Sequence, residues 1–307
     1  MFVVPDSFVQ GCLRNYGADA EIEEWLGRLP DILEYCQQHW NITIQPPFAN
    51  LSFHYVVPAL QADRTPVVLK VHAPTGEFEH ESTAIKLFAG HGMVRLLDCD
   101  ADHQVMLLER LQPGRLLKDI QDDEKATSYA AGVMRRLWRP APVQHPFPTV
   151  QDWGKGFERL RTHYNGGCGP FPPRLLDKAE TLFAELSASM AEPVLLHGDL
   201  HHENILSAER QPWLAIDPKG LIGEPAYETG DLLRNQLPKE HLRSAQTLRM
   251  LRRRIDQLAE ELTLDRQRVR DWGIAQAVLA VWWGIEDSDH VWAEALACAE
   301  MLATIKV

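Results

Sequence analysis

Two segments constrain the fold of this chain more tightly than anything else in it. Leu195–Leu206 reads LLHGDLHHENIL and Leu214–Gly220 reads LAIDPKG, so Asp199, Asn204 and Asp217 fall within nineteen residues. Each segment grows out of an apolar run, Val194–Leu196 and Trp213–Ile216, that reads as a short buried strand. Such strands deliver a carboxylate, an amide and a second carboxylate to loops held by a rigid scaffold, where chemistry is commonly carried.

The residue types suit phosphoryl transfer. That reaction asks a protein for positioning and charge neutralisation rather than covalent work. A carboxylate beside the acceptor hydroxyl orients it and takes its proton, and Asp199 is the candidate. Magnesium prefers oxygen ligands and keeps several waters, so Asn204 and Asp217 suffice as its protein ligands. Ordinary loop acids are the competing reading. D-x-x-x-x-N alone is common, whereas H-G-D-L-H-x-x-N followed at this interval by an apolar run and Ile-Asp is far more restrictive. His197, His201 and His202 also raise a zinc site. H-x-x-x-H puts two imidazoles on one face only in a helix, and this segment reads as a loop, so the histidines are expected to be structural.

At 307 residues, with 45% hydrophobic and 24% charged residues, the chain has the length for two lobes and the composition of a globular enzyme. A net charge of −12 disfavours nucleic acid and anionic membranes as partners and suits a cationic substrate. The start does not resemble a signal peptide, and the apolar run Ile274–Ile285 is too short to span a bilayer. Five scattered cysteines imply reduced thiols and a cytoplasmic location.

Residues 1 to about 45 read as helical, with a boundary expected at Pro30. From Ile42 the period changes, and Leu51–Val57 and Pro66–Val71 read as an antiparallel hairpin closed by a turn over residues 62–65. Lys70, late in the second strand, is a candidate for pairing with nucleotide phosphates. A partner acid is expected on the helix after Glu77; Glu77, Glu79 and Glu81 all qualify, and Glu81 is preferred because it precedes the apolar face by one turn. Val94–Asp98 and Val105–Glu109 read as further strands. The stretch Glu109–Gly114 reads as a lobe connector, with the backbone of Glu109 and Leu111 offered to adenine. No G-x-G-x-x-G precedes Lys70; Asn50 and Ser52 stand there, and Ser52 is the candidate phosphate contact. The domain reading is therefore a nucleotide-binding lobe over 1–110 with a helical extension, and a mainly helical lobe over 111–307 with the catalytic loop and acceptor pocket. Within the latter, Leu116–Leu137, Arg174–Ser187, Leu248–Leu262 and Ile274–Ile285 read as helices. Glu228, Asp231, Glu286 and Asp287 are candidates to line a pocket for a cationic acceptor; capping or solvated acids are the alternative.

With these segments in order, the chain resembles the aminoglycoside phosphotransferase superfamily, and more narrowly its streptomycin and hydroxyurea phosphotransferase branch. LSFHYVVPA, TPVVLKV, HGMVRLLD, VMLLERLQPG, LLHGDLHHENIL, LAIDPKGLIGEPAYE and AQAVLAVWWGIED carry the likeness over about residues 51–287. The H-x-D-x-x-x-x-N loop and the V-V-L-K strand are similar to those of protein-kinase-like enzymes. The resemblance implies an α+β, protein-kinase-like bilobal fold, with a small antiparallel sheet in the first lobe. It also implies ATP and Mg²⁺ as cofactors and a small-molecule hydroxyl as acceptor. By position, Asp199 becomes the base, Asn204 and Asp217 the metal ligands, and Lys70 the phosphate-binding lysine. Gly198 stands where protein kinases carry Arg, which argues against their activation-loop regulation. The expected function is phosphorylation of an aminoglycoside such as streptomycin or of a hydroxyurea-type compound. A metabolic kinase for a sugar-amine or amino-alcohol, an inactive nucleotide sensor and a zinc-dependent hydrolase are the rival readings.

Overall fold

The computed structural model describes residues 2–306 apart from Ala18, Asn50 and Ser52, and it divides into two compact units, residues 1–114 and 115–307. The division falls four residues later than the expected 110/111 boundary, because the connector up to Gly114 packs with the first unit.

The first unit is built on a five-stranded sheet of order β1-β2-β3-β5-β4, formed by Ile42–Ile44, Tyr55–Gln61, Pro66–Val71, Leu96–Asp100 (β4) and Val105–Glu109 (β5). All its neighbours run antiparallel, and β3 sits centrally with Lys70 opposite both Val56 and Met106. The edge strand β1 begins at Ile42, where the period changes, over the last residues of the stretch read as helical. Helices α1 (Asp6–Tyr16) and α2 (Ala20–His39) supply one side of the core. Leu29, Leu33 and Cys36 are buried with Tyr55, Val57, Leu69 and Leu107. Helix α2 continues through Pro30, contrary to the expected boundary. Proline costs about 3 kcal/mol inside a helix; the buried stripe from Ile22 to Cys36 outweighs that penalty. Helix α3 (Glu77–Phe88) turns Phe78, Glu81, Ser82 and Ile85 inward.

The second unit carries two small sheets and seven helices among the described residues. Its sheets are β10-β9-β6 and β11-β8-β7. Their strands are Pro113–Leu116 (β6, which crosses the division), Arg139–Pro140 (β7), Val194–Leu196 (β8), Ile205–Ala208 (β9), Trp213–Ala215 (β10) and Leu221–Gly223 (β11). The expected helix from Leu116 begins only at Asp123, because β6 and a 3₁₀ turn at Leu117–Asp119 precede it. Helices α4 (Asp123–Leu137), α5 (Val150–His163), α6 (Pro173–Ala188), α7 (Pro225–Arg234), α8 (Ala245–Leu262), α9 (Arg266–Ser288) and α10 (Ala293–Thr304) complete it. Helix α9 is buried at every position from Trp272 to Trp282 and is packed by α6, α7 and α10. The apolar run that was too short for a membrane is thus a central core helix.

Candidate active site

Topology brings the two loops of the sequence signature together. Strand β8 pairs with β11 and β9 pairs with β10, with Leu195 opposite Ile222 and Leu206 opposite Leu214. The β8–β9 connection holds Asp199 and Asn204, and the β10–β11 connection holds Asp217. With both ends of each connection paired, the two run side by side.

Three residues tie these connections. The His197 ring bonds the Ile216 carbonyl through Nε2 at 2.7 Å, while Nδ1 accepts the Asp199 N–H at 3.2 Å. Ile216 N–H in turn donates to the Asn204 carbonyl at 2.9 Å. Burial holds the His197 pKa down at about 4, so the ring stays neutral and keeps one donor and one acceptor nitrogen. Asp217 follows Ile216 at φ 57°, a left-handed conformation that Asp tolerates better than most residues. Gly198 is required at φ 83°. A Cβ there would meet Leu221, Trp153 and Lys219 side chains at 3.2–3.4 Å, so the Arg of protein-kinase loops has no place here.

Asp199 is half-buried. The Asn204 side-chain amide donates to its carbonyl at 2.9 Å and to its carboxylate at 3.3 Å, leaving the Asn204 amide oxygen as the group available to a cation. Burial alone would push the Asp199 pKa up; His201, with Nε2 3.6 Å from the carboxylate, and Arg234 more than offset it and hold it below the ordinary value. Asp199 is therefore ionised at neutral pH. His201 was read from the sequence only as structural, and Arg234, outside the catalytic spacing, was not singled out.

Two expected acceptor residues are placed otherwise. Glu228 is fully buried on α7, where its two oxygens accept the His197 and Gly198 N–H groups at 2.7 and 2.9 Å. Burial, with Asp231 adding to it, raises its pKa to about 8. Asp231 is buried against Arg234, and burial lifts its pKa to about 6 although Arg234 pulls the other way. Glu228 thus braces the loop from α7, whose residues from Ala226 to Leu233 are all buried. Glu286 sits near the end of α9 and pairs with Arg159 at 2.5 and 2.9 Å. Asp287 follows it on the exposed side.

In the first unit Lys70 and Glu81 meet as expected. Both are buried, and Lys70 Nζ lies 2.7 Å from each Glu81 carboxylate oxygen. Glu77 and Glu79, the alternatives, lie in the first turn of α3 and are not among its buried residues, whereas Glu81 is. Glu109 ends β5, with its carboxylate on the Arg95 N–H at 3.0 Å, and Leu111 is buried just beyond it. The connector bends at a cis Gln112–Pro113 bond and at Gly114, φ 70°. Ser52 lies outside the described residues.

The zinc reading of the histidine cluster finds no support. Both His197 nitrogens are committed, His201 Nδ1 accepts the Glu203 N–H at 3.3 Å, and the three lie on a loop rather than a helix. Asn204 and Asp217 instead offer the hard oxygen donors that magnesium selects.

A strand-borne Lys–Glu pair in one unit and a D-x-x-x-x-N loop beside an acid-bearing loop in the other define a kinase-like small-molecule phosphotransferase. The sequence model described as "Aminoglycoside/hydroxyurea antibiotic resistance kinase" matches residues 39–288, and the chain belongs to that family. It is 34% identical to a streptomycin 6-kinase from Streptomyces griseus over 98% of this chain and 97% of that one. It is 32% identical to a hydroxyurea phosphotransferase from Kitasatospora aureofaciens over 97% and 85% respectively. Among solved structures, a thermostable mutant of aminoglycoside phosphotransferase APH(4)-Ia, in ternary complex with ADP and hygromycin B, matches with a TM-score of 0.60. It is 16% identical and covers 88% of this chain and 97% of its own, which shows the shared fold. The protein is accordingly a kinase-type phosphotransferase with an alcohol group as acceptor. Among the described residues no helix is long and apolar enough to cross a membrane.

Proposed function

We propose that this protein transfers the γ-phosphoryl group of ATP, with Mg²⁺, to a hydroxyl of a streptomycin-type aminoglycoside in the cytoplasm. The observation that carries this reading is the near full-length similarity to a streptomycin 6-kinase, joined to the geometry of Asp199, Asn204 and Asp217. A hydroxyurea-type acceptor is the second reading, favoured by the 32% identical relative.

Asp199 orients the acceptor hydroxyl and receives its proton. Its lowered pKa is no obstacle, because bonding to the departing phosphoryl group is well advanced before the hydroxyl becomes strongly acidic. Asn204 keeps the Asp199 carboxylate in register through its amide. Asn204 and Asp217 would hold the metal, which supplies charge neutralisation on the phosphate oxygens. Lys70, held by Glu81, serves the α- and β-phosphates, and the backbone of Glu109 and Leu111 serves adenine. Ser52 remains the proposed phosphate contact at the hairpin entry. A net charge of −12 supports a cationic acceptor and speaks against nucleic acid; Glu286 and Asp287 are the acids proposed to meet that acceptor.

Purified protein with Mg²⁺ and ATP is tested against streptomycin, other aminoglycosides, hydroxyurea and amino-alcohols, reading ADP release and the mass of the product. Streptomycin is expected to gain one phosphoryl group. Asp199→Asn is expected to lower kcat about 10²–10⁴-fold. Turnover confined to amino-alcohols would overturn the acceptor, and an Asp199→Asn variant as active as the wild type would overturn the mechanism.

A further inference from the structure

Glu81 has neighbours besides Lys70. Lys70 and His72 are two residues apart in extended chain, so both side chains leave on the same side. His72 is buried, and its Nε2 lies 3.3 Å from Glu81 Oε2. His54, one residue before β2, lays its ring over His72 with centroids 4.3 Å apart. One ligand atom from each of His54, His72 and Glu81 falls within 4.8 Å of the others. Glu77 adds a fourth oxygen, 3.5 Å from His54 Nε2.

Those separations match a metal polyhedron. Bonds of about 2.0–2.1 Å in a tetrahedron put neighbouring ligand atoms about 3.3 Å apart. The His72–Glu81 and His54–Glu77 edges, at 3.3 and 3.5 Å, already have that length. The ligand atoms of His54, His72 and Glu81 lie within 4.8 Å of one another, so they draw together by at most about 1.5 Å to reach that edge length. Two imidazoles with carboxylates select a borderline ion such as Zn²⁺ over Mg²⁺. The His54 side chain is 11% exposed and Glu77 36%, which leaves an entry path from the Glu77 side. Binding loosens the buried Lys70–Glu81 contact and, whichever ring nitrogen takes the ion, also removes the 3.2 Å contact in which His54 Nδ1 accepts the Ala73 N–H; the metal–ligand bonds must offset both.

We propose that His54, His72 and Glu81, with Glu77 completing the shell, form a Zn²⁺ site whose occupation withdraws Glu81 from Lys70 and suppresses phosphoryl transfer. An ion on Glu81 Oε2 shares the carboxylate that holds Lys70 by both oxygens and sets positive charge beside the ammonium. The inhibition rests on the proposed role of Lys70; the site itself does not.

The test uses the full chain stripped of metal with a chelator. Zn²⁺ is titrated by competition with a metal-binding dye, Co²⁺ is added separately as a spectroscopic stand-in, and Mg²⁺–ATP-dependent transfer is followed over the same Zn²⁺ range. One ion per chain is expected, with the intense visible bands of four-coordinate Co²⁺. Transfer should fall along the binding curve and return on chelation. His54→Ala is expected to keep Mg²⁺-dependent transfer while zinc binding weakens about tenfold or more. His72→Asn should abolish the cobalt bands. Zinc binding unchanged in both variants, or transfer unaffected at full zinc occupancy, would overturn the proposal. The cobalt spectrum decides the metal site whether or not any acceptor is turned over.

Discussion

Glu81 and Glu228 are both buried carboxyl groups, one in each unit, and they are held by opposite means. Glu81 is clamped on both oxygens by an ammonium, at 2.7 Å each. Glu228 is clamped on both oxygens by peptide N–H groups of His197 and Gly198, at 2.7 and 2.9 Å, with Asp231 as its charged neighbour. The first environment compensates a charge; the second supplies dipoles and a repelling acid, so burial wins and Glu228 carries its proton at neutral pH. A buried acid in this fold can therefore be a charged partner or a neutral brace, and the distinction lies in what its two oxygens touch.

The largest effect should come from breaking the charged clamp. Lys70→Met removes the ammonium and leaves Glu81 buried, which costs about 3–5 kcal/mol when one partner of a buried pair is lost. Chemical denaturation should show this as a lower midpoint at unchanged slope. The double variant Lys70→Met, Glu81→Leu should recover much of the loss, because it removes the buried acid as well. A double variant no more stable than Lys70→Met would mean that the charge is compensated elsewhere, and the contrast with Glu228 would dissolve.

Glu228→Gln attacks the neutral brace. Glutamine offers one acceptor oxygen for two N–H groups, and leaving one buried donor unmet costs about 1–3 kcal/mol. The pH dependence follows from the raised pKa. In the unfolded chain Glu228 ionises near its ordinary 4.5, whereas in the native protein it holds its proton to about 8. Between these values the native state binds more protons, so this contribution to stability is full below about pH 4.5 and is lost as pH rises through 8. The wild-type advantage in Tm over Glu228→Gln should therefore shrink between pH 5 and pH 8. An advantage that grows over that interval would show Glu228 to be a native carboxylate.

Sequence legibility follows the same contrast. The Lys70–Glu81 pair was readable because strand and helix periodicity narrow which side chains turn inward; Glu77 is one turn before Glu81 on the same side of the helix, and only its lesser burial in the fold sets the two apart. The meeting of the loops that carry Asp199, Asn204 and Asp217 was readable because each grows out of a short apolar strand, and those strands, β8 and β10, pair with β11 and β9 in the fold. Glu228 and Asp231 were read as candidate pocket acids; their burial on α7, and the two bonds by which Glu228 holds the β8–β9 connection, come from long-range packing that nothing local in the sequence announces. Helix α2 was expected to break at Pro30 because local propensity opposes a helix there, and only the packing of Leu29, Leu33 and Cys36 against the sheet overrides it. His201 was read as structural, since its closeness to Asp199 exists only once the loop has closed.

Glu286 offers the smallest and sharpest test, because it is a clamp of the first kind moved to the surface. Its partner Arg159 is 49% exposed and Glu286 itself 30%, so water screens a geometry that would matter in the core. Exposed pairs are worth about 0–1 kcal/mol, and Glu286→Gln should move the midpoint of unfolding by no more than that. The kinetic outcome is more telling than the stability. If Glu286 meets a cationic acceptor, its loss should raise KM while kcat holds, the mark of an interaction equally strong in ground and transition states. If KM for every accepted aminoglycoside stays unchanged, Glu286 belongs to Arg159 alone, and the acids that recognise the acceptor lie elsewhere in the second unit.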